Sequence, residues 1–210
     1  DFHQRLAGGG PVRDLAMITA AVMRPQLGFG GHDAHPTMQE KAAALLHDTG
    51  RPTERATGAC HAEVSAAMAR EILGARSVPT ERIEAVADAI AQHRFRGTRA
   101  PESLEARVLF DADKLDAIGA IGVARAYAIA GAQGQHLWAE VPEEVASRRP
   151  EEGRTDLRNG EHTPAHEYRF KLAKIRDRLF TQAGRRLAEG RHRYMVAFFE
   201  RLEREVAGDA

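Results

Sequence analysis

AALLHDTGRP, residues 43 to 52, runs four helix-forming apolar residues into a His-Asp pair, then closes with Gly50 and Pro52. The Ala/Leu run predicts a helix over Met38 to His47, stopped by the glycine and proline that follow. Neighbouring residues on a helix point about 100° apart, so His47 and Asp48 cannot make a simple side-by-side pair. At a helix end both can still reach one divalent cation, with an imidazole nitrogen and a carboxylate oxygen as donors. An HD dipeptide alone is equally compatible with a helix C-terminus that stabilises a histidine through its dipole.

Further along, LFDADKLDAIGAIG, residues 109 to 122, sets Asp111, Asp113 and Asp116 within six residues of an apolar helix. Leu109, Ala112 and Leu115 form its apolar stripe, and Asp113 and Asp116 lie one turn apart. Carboxylates beside a buried face need a partner. A metal supplies one, and ion pairing with Lys114 and nearby arginines is the plainer alternative.

Around these two stretches the chain alternates apolar helical periods with Gly/Pro punctuation and shows almost no period-two pattern. Helices are predicted over Pro11 to Met23, Ala62 to Leu73 with Gly74 as its stop, and from Thr80 as a cap with Ile83, Val86 and Ile90 on one face. One long or kinked helix is expected over Leu104 to Ala130, with Gly119 and Gly122 permitting close helix contact. Two more follow, over Glu167 to Phe180 and Arg185 to Val206. Residues 132 to 161, with Trp138, read as a surface loop or lid. The fold class is all-α, a single-domain helical bundle over residues 1 to 210, in which residues 1 to 38 form an atypical N-terminal segment.

Composition narrows the function. The 210 residues suffice for one good-sized core, and 43% apolar with 29% charged residues is an ordinary globular balance. Lys plus Arg and Asp plus Glu number 30 each, so no global field favours nucleic acid. No apolar run approaches a membrane span, and the opening DFHQRLAGGG lacks a signal peptide's order, so no membrane partner and a cytoplasmic location are expected. The one cysteine, Cys60, excludes an internal disulfide and reads as a small core residue rather than a nucleophile. Between Arg169 and Arg204 eleven Lys/Arg stand against four Asp/Glu. That excess is either a solvated helix face or a basic wall beside a polyanionic ligand.

Taken together, the HD pair and the later aspartate resemble the HD superfamily of metal-dependent phosphohydrolases. In that family a lone histidine, the HD pair and a later aspartate surround one divalent ion. The stretches CHAEVSA (60 to 66), IAQHRF (90 to 95), DADKLDAIGAIGVAR (111 to 125) and HEYRFKLAKIRDRLFTQAGRRLAEGRHRYM (166 to 195) are similar to a bacterial subgroup of nucleoside triphosphate pyrophosphohydrolases. The likeness covers residues 40 to 206 and departs from the family at the N-terminus, where only eleven residues separate His35 from His47.

The resemblance implies a site. His47, Asp48 and Asp113 are its metal ligands, with Asp111 a second choice for the later aspartate. His35, in an HDAH setting, is the matching first histidine, and His3 has the distance but a poor context. His61 and His93 would stand beside the ion, contacting phosphate or a second ion. Together with Asp48, Asp113 and Lys114 they make up the catalytic set. Arg51 could hold phosphate oxygens, and Lys171 and Tyr168 could line a nucleotide pocket. Glu54 or Glu63 is a weaker candidate for orienting water or a ligand histidine. Mixed imidazole and carboxylate donors suit Mn, Fe, Ni, Co or Zn better than Mg, and the likeness favours Mn.

The reaction expected is hydrolysis of a small phosphorylated molecule, foremost a nucleoside triphosphate cleaved to monophosphate and pyrophosphate. A nucleotidase, a cyclic-nucleotide phosphodiesterase and a non-catalytic nucleotide-binding module are the alternatives. A homo-oligomer is compatible with everything above.

Overall fold

The computed structural model describes residues 37–95, 100–148 and 162–209, and all the regular structure there is helical. The helix predicted over Pro11 to Met23 lies outside these residues. By its internal contacts the chain falls into two compact units, one ending at Asp113 and the other beginning at Lys114.

In the first unit α1 spans Met38–Leu46. Thr37 and Glu40 form a capping box: the Thr37 hydroxyl accepts from the Glu40 N–H at 3.1 Å, and the Glu40 carboxylate accepts from the Thr37 N–H at 2.6 Å. His47 is the C-cap. The short α2, Arg51–Thr57, ends at Gly58, whose φ of 77° gives the left-handed cap that favours glycine. α3 spans His61–Gly74 and α4 spans Thr80–Ala91. Pro79, not Thr80, occupies the N-cap of α4, and no side chain caps it. Pro79 and Thr80 compete for the same start, and the fixed φ of proline suits the turn into the helix.

α5, Leu104–Leu115, carries Ala106 and Leu109 into a core shared with Ala43, Ala44, Ala66, Ala69, Val86, Ala87 and Ile90. Alanine dominates this core. Small side chains let α1, α3 and α4 approach closely, which holds their C-terminal and N-terminal ends in a fixed register.

In the second unit the period expected to run from Leu104 to Ala130 breaks after Leu115, and α6 begins at Gly119 and ends at Ala132. Gly119 has a φ of 79°, and a Cβ there would stand 2.9 Å from the Arg191 Cβ. At Gly122 a Cβ would overlap the Ala117 carbonyl and lie 2.9 Å from the Met195 Cε. Both glycines therefore serve the close approach expected of them.

α7, Glu143–Ser147, sits within the stretch expected to be a loop or lid, and residues 149–161 lie outside the described residues. α8 spans only Pro164–Phe170, followed by two 3₁₀ turns at Leu172–Lys174 and Arg176–Arg178. Leu172, Ile175 and Leu179 are all buried. Spacings of three and four serve a 3₁₀ turn as well as an α-helix, which is why periodicity reads this run as one continuous helix.

α9, Gln182–Ala207, buries Ala183, Ala188, Met195 and Phe199 along one face. The Tyr168 ring stacks on Phe199 at 4.2 Å between centroids. Among the described residues no single helix is long and apolar enough to cross a membrane.

Candidate metal centre

The centre is built at helix ends of the first unit. α1 delivers His47 and Asp48 as it terminates, α3 opens on His61, His93 follows the C-cap of α4, and Asp113 lies in the last turn of α5. Gly50 closes the HD turn against α3: its N–H donates to the Ser65 hydroxyl at 2.8 Å. A Cβ at Gly50 would stand 2.6 Å from the His61 carbonyl oxygen, so only glycine fits.

Each imidazole is oriented by an acceptor on Nδ1. His47 donates to the Ala44 carbonyl at 2.8 Å, His93 to the Ile90 carbonyl at 2.6 Å, and His61 to Glu54 Oε1 at 2.9 Å. A neutral ring holding its proton on Nδ1 presents a lone pair at Nε2, the atom a metal takes. All three Nε2 atoms face Asp48, and that of His47 faces Asp113 as well. His47 Nε2 stands 3.8 Å from Asp48 Oδ2 and 3.9 Å from Asp113 Oδ1. His61 and His93 stand 3.6 Å and 3.7 Å from Asp48 Oδ1, and 3.3 Å from each other.

These distances fit a cation. Donors about 2.0–2.2 Å from a common ion stand roughly 3–4 Å apart. Two overlapping groups have their donor atoms within 4.8 Å of one another: His47, His93 and Asp113, and Asp48, His61 and His93. His93 belongs to both. The imidazoles are buried, and Asp48 and Asp113 are the more accessible donors, with side chains 21% and 15% exposed.

The electrostatics keep the donors ready. Burial lowers the His47 pKa despite Asp113 and lowers that of His61 despite its bond to Glu54. Asp48 is held below its usual carboxyl range: burial opposes its charge, and the Arg51 guanidinium, which donates to Oδ1 at 2.9 Å, is among the groups that outweigh it. Glu54 is likewise held low: its partial burial is outweighed by His61 and Arg51.

The remaining expected residues divide. Arg51 donates to Asp48 Oδ1 at 2.9 Å and to Glu54 Oε2 at 3.1 Å, so in this structure its fork is an ion-pair clamp. Asp111 is fully buried and is not among the donor groups, whereas Asp113 is. Lys114, Lys171 and Tyr168 belong to the second unit. There Lys114 is buried, Lys171 pairs with Glu167 at 3.3 Å, and Tyr168 is packed on Phe199. His3 and His35 lie outside the described residues.

In the basic run, Arg169 pairs with Glu203, Arg176 with Asp177 and Arg201 with Glu205, all exposed. Arg191 reaches Asp116 at 3.6 Å. Glu54 and Ser65 are the residues the sequence undersold. Glu54 and His61 lie on different helices, α2 and α3, so no spacing within one helix predicts their contact, and a buried serine carries no motif.

In the first unit an HD pair, a later aspartate and two further imidazoles thus stand at donor distances from one another. Residues 21–118, just under half of the chain, match the family model described as HD domain. YpgQ of Bacillus subtilis is 36% identical over 118 residues, 55% of this chain and 47% of that protein, so the match spans about half of the relative's length.

In three dimensions the chain is similar to the crystal structure of YpgQ, with a TM-score of 0.68 and 25% identity over 95% of this chain and 89% of that one. YpgQ in complex with ADP gives a TM-score of 0.66 at 23% identity, over 95% and 90% of the two chains. An HD-superfamily hydrolase from Bacillus thuringiensis gives 0.63 at 26% identity, over 93% and 85%.

Proposed function

We propose that the protein is a metal-dependent phosphohydrolase that cleaves a nucleoside triphosphate to monophosphate and pyrophosphate, with manganese the favoured ion. The observation that carries this reading is the convergence of three Nδ1-anchored imidazoles on Asp48, with Asp113 grouped beside His47 and His93. His47, Asp48, His61, His93 and Asp113 would hold the ion. Once bound, it would supply a Lewis acid for a phosphoryl oxygen and lower the pKa of water.

The chain's own groups supply the rest. The buried imidazoles form a rigid floor, because each is tied at Nδ1 to a helix carbonyl or to Glu54. Asp48 and Asp113, the more accessible donors, stand where a proton can be accepted from attacking water. Arg51, half-exposed and fixed by two carboxylates, lies at the same rim as positive charge for a phosphate oxygen. The substrate roles proposed for Lys114, Lys171 and Tyr168 rest on the sequence likeness. A nucleotide as substrate class is supported by that likeness and by the ADP complex of YpgQ.

A panel of nucleoside tri-, di- and monophosphates and cyclic nucleotides, scored for phosphate and pyrophosphate release with manganese and with chelator, tests the proposal. Manganese-dependent pyrophosphate release from triphosphates is expected. Release of phosphate alone from monophosphates, or opening of cyclic nucleotides, would move the substrate class. No turnover of any of them by metal-loaded protein would contradict it.

A further inference from the structure

We infer that Glu54 is a positioning residue of the metal centre, one that fixes the His61 proton on Nδ1 and so keeps the Nε2 lone pair facing the ion. The inference rests on the metal-dependent reading above and adds a residue to it.

The short helix α2 needs a reason to exist. Its seven residues include none that is buried, so apolar packing does not hold it in place. What it contributes is at its N-terminal turn. Arg51 and Glu54 are three positions apart and share a face. Glu54 Oε1 accepts the His61 Nδ1–H at 2.9 Å, and Oε2 accepts from Arg51 at 3.1 Å.

A second arginine stands on the same carboxylate. Arg94 Nη2 lies 3.7 Å from Glu54 Oε1, and Arg94 Nη1 contacts Cys60 Sγ at 3.1 Å. Arg94 follows His93 and Cys60 precedes His61. The residues flanking the two closest imidazoles are thus joined to each other and to Glu54, behind the donor atoms.

The chemistry makes that arrangement consequential. A neutral imidazole has one N–H, and its two nitrogens compete for it. If the proton moved to Nε2, that atom would turn from a ligand into a donor aimed at Asp48 Oδ1, 3.6 Å away. One misplaced proton would remove a nitrogen ligand and engage a carboxylate ligand together. An acceptor held rigidly on Nδ1 prevents this, and a charged acceptor also raises the basicity of the ligating nitrogen. His47 and His93 use helix carbonyls for the purpose. His61 opens α3 and has no preceding turn of its own helix to supply one, so a side chain must.

The test combines nitrogen NMR of the metal-free protein, above the imidazole titration range, with manganese affinity by calorimetry. In the wild-type protein His61 should appear as the Nδ1–H tautomer. Glu54→Ala should shift it toward Nε2–H and weaken manganese binding by about 10–100-fold. Glu54→Gln, whose amide oxygen still accepts, should keep the tautomer and recover part of the affinity. It also covers the case in which the alanine variant folds poorly. Glu71→Ala, an exposed carboxylate further along α3, should change neither. An unchanged His61 tautomer with wild-type affinity in folded Glu54→Ala would overturn the assignment. Wild-type protein that binds no manganese would instead overturn the metal-dependent reading, and the tautomer comparison would still decide the role of Glu54.

Discussion

The Nε2 atoms of His61 and His93 stand 3.3 Å apart, while both rings hold their Nδ1 protons on other acceptors. Two lone pairs facing each other beside Asp48 repel unless positive charge lies among them. A divalent cation satisfies them at once, which makes this pair the most informative contact in the protein. His93 also belongs to the group with His47 and Asp113, and His61 does not. His93→Ala should therefore weaken metal binding more than His61→Ala, with each losing more than about tenfold, since even outer-sphere changes reach that size. Calorimetric titration with manganese of variants shown folded by near-UV circular dichroism measures the order. The reverse order would show that the two donor groups do not share His93.

Asp111 and Asp113 should separate cleanly. Asp113 is a donor near the surface, and Asp111 is fully buried outside the donor groups. Asp113→Ala is expected to abolish hydrolysis and lower metal affinity while leaving the metal-free protein nearly as stable. Asp111→Ala should cost about 1–3 kcal/mol by leaving buried partners unsatisfied. Urea unfolding of both apoproteins beside metal titration gives the comparison. Loss of metal binding confined to the Asp111 variant would move the later ligand to that position.

Gly50→Ala is expected to disturb the HD turn itself. The added Cβ meets the His61 carbonyl oxygen at 2.6 Å and the Ser65 nitrogen at 2.9 Å, both backbone atoms that cannot swing aside. A destabilisation of about 1–3 kcal/mol follows from such overpacking, together with weaker metal binding because Asp48 and His61 are pushed apart. A thermal midpoint equal to the wild-type value would show that the turn has slack.

Acid should destabilise the metal-free protein in the imidazole range. Burial lowers the pKa of both His47 and His61, so their folded values lie below the unfolded value of about 6.5. Above that pH both states are neutral and these groups contribute nothing to its variation. As pH falls through it the unfolded chain takes up protons first, and stability declines until the folded pKa values are passed. Glu54, held below its usual value, acts in the same direction at lower pH, because its stabilisation is lost as it protonates. A thermal midpoint flat from pH 8 to 7 and falling below about 6.5 is expected. A midpoint that rises on acidification would mean that the native imidazoles are charged.

Much of this architecture can be read from the chain because it rests on local signals. A run of alanine and leucine ending in His47-Asp48-Thr49-Gly50 announces both a helix and its stop, and Asp113 stands out on an apolar stripe. What sequence periodicity misses are the places where two structures share one period. Leu172, Ile175 and Leu179 fit an α-helix and a 3₁₀ turn alike, and Gly119 interrupts a helical run whose apolar spacing continues across the break. The layer behind the donors is equally hidden. Glu54 reaches His61, and Ser65 reaches Gly50, only after α2 and α3 have folded back on each other.

The most direct measurement is an anomalous-scattering map from crystals of the protein grown with manganese. The account predicts one or two peaks within coordination distance of His47, Asp48, His61, His93 and Asp113, with His93 Nε2 bound directly to the ion. Ordered side chains in the positions described here with no anomalous density among them, or manganese held elsewhere in the chain, would contradict it.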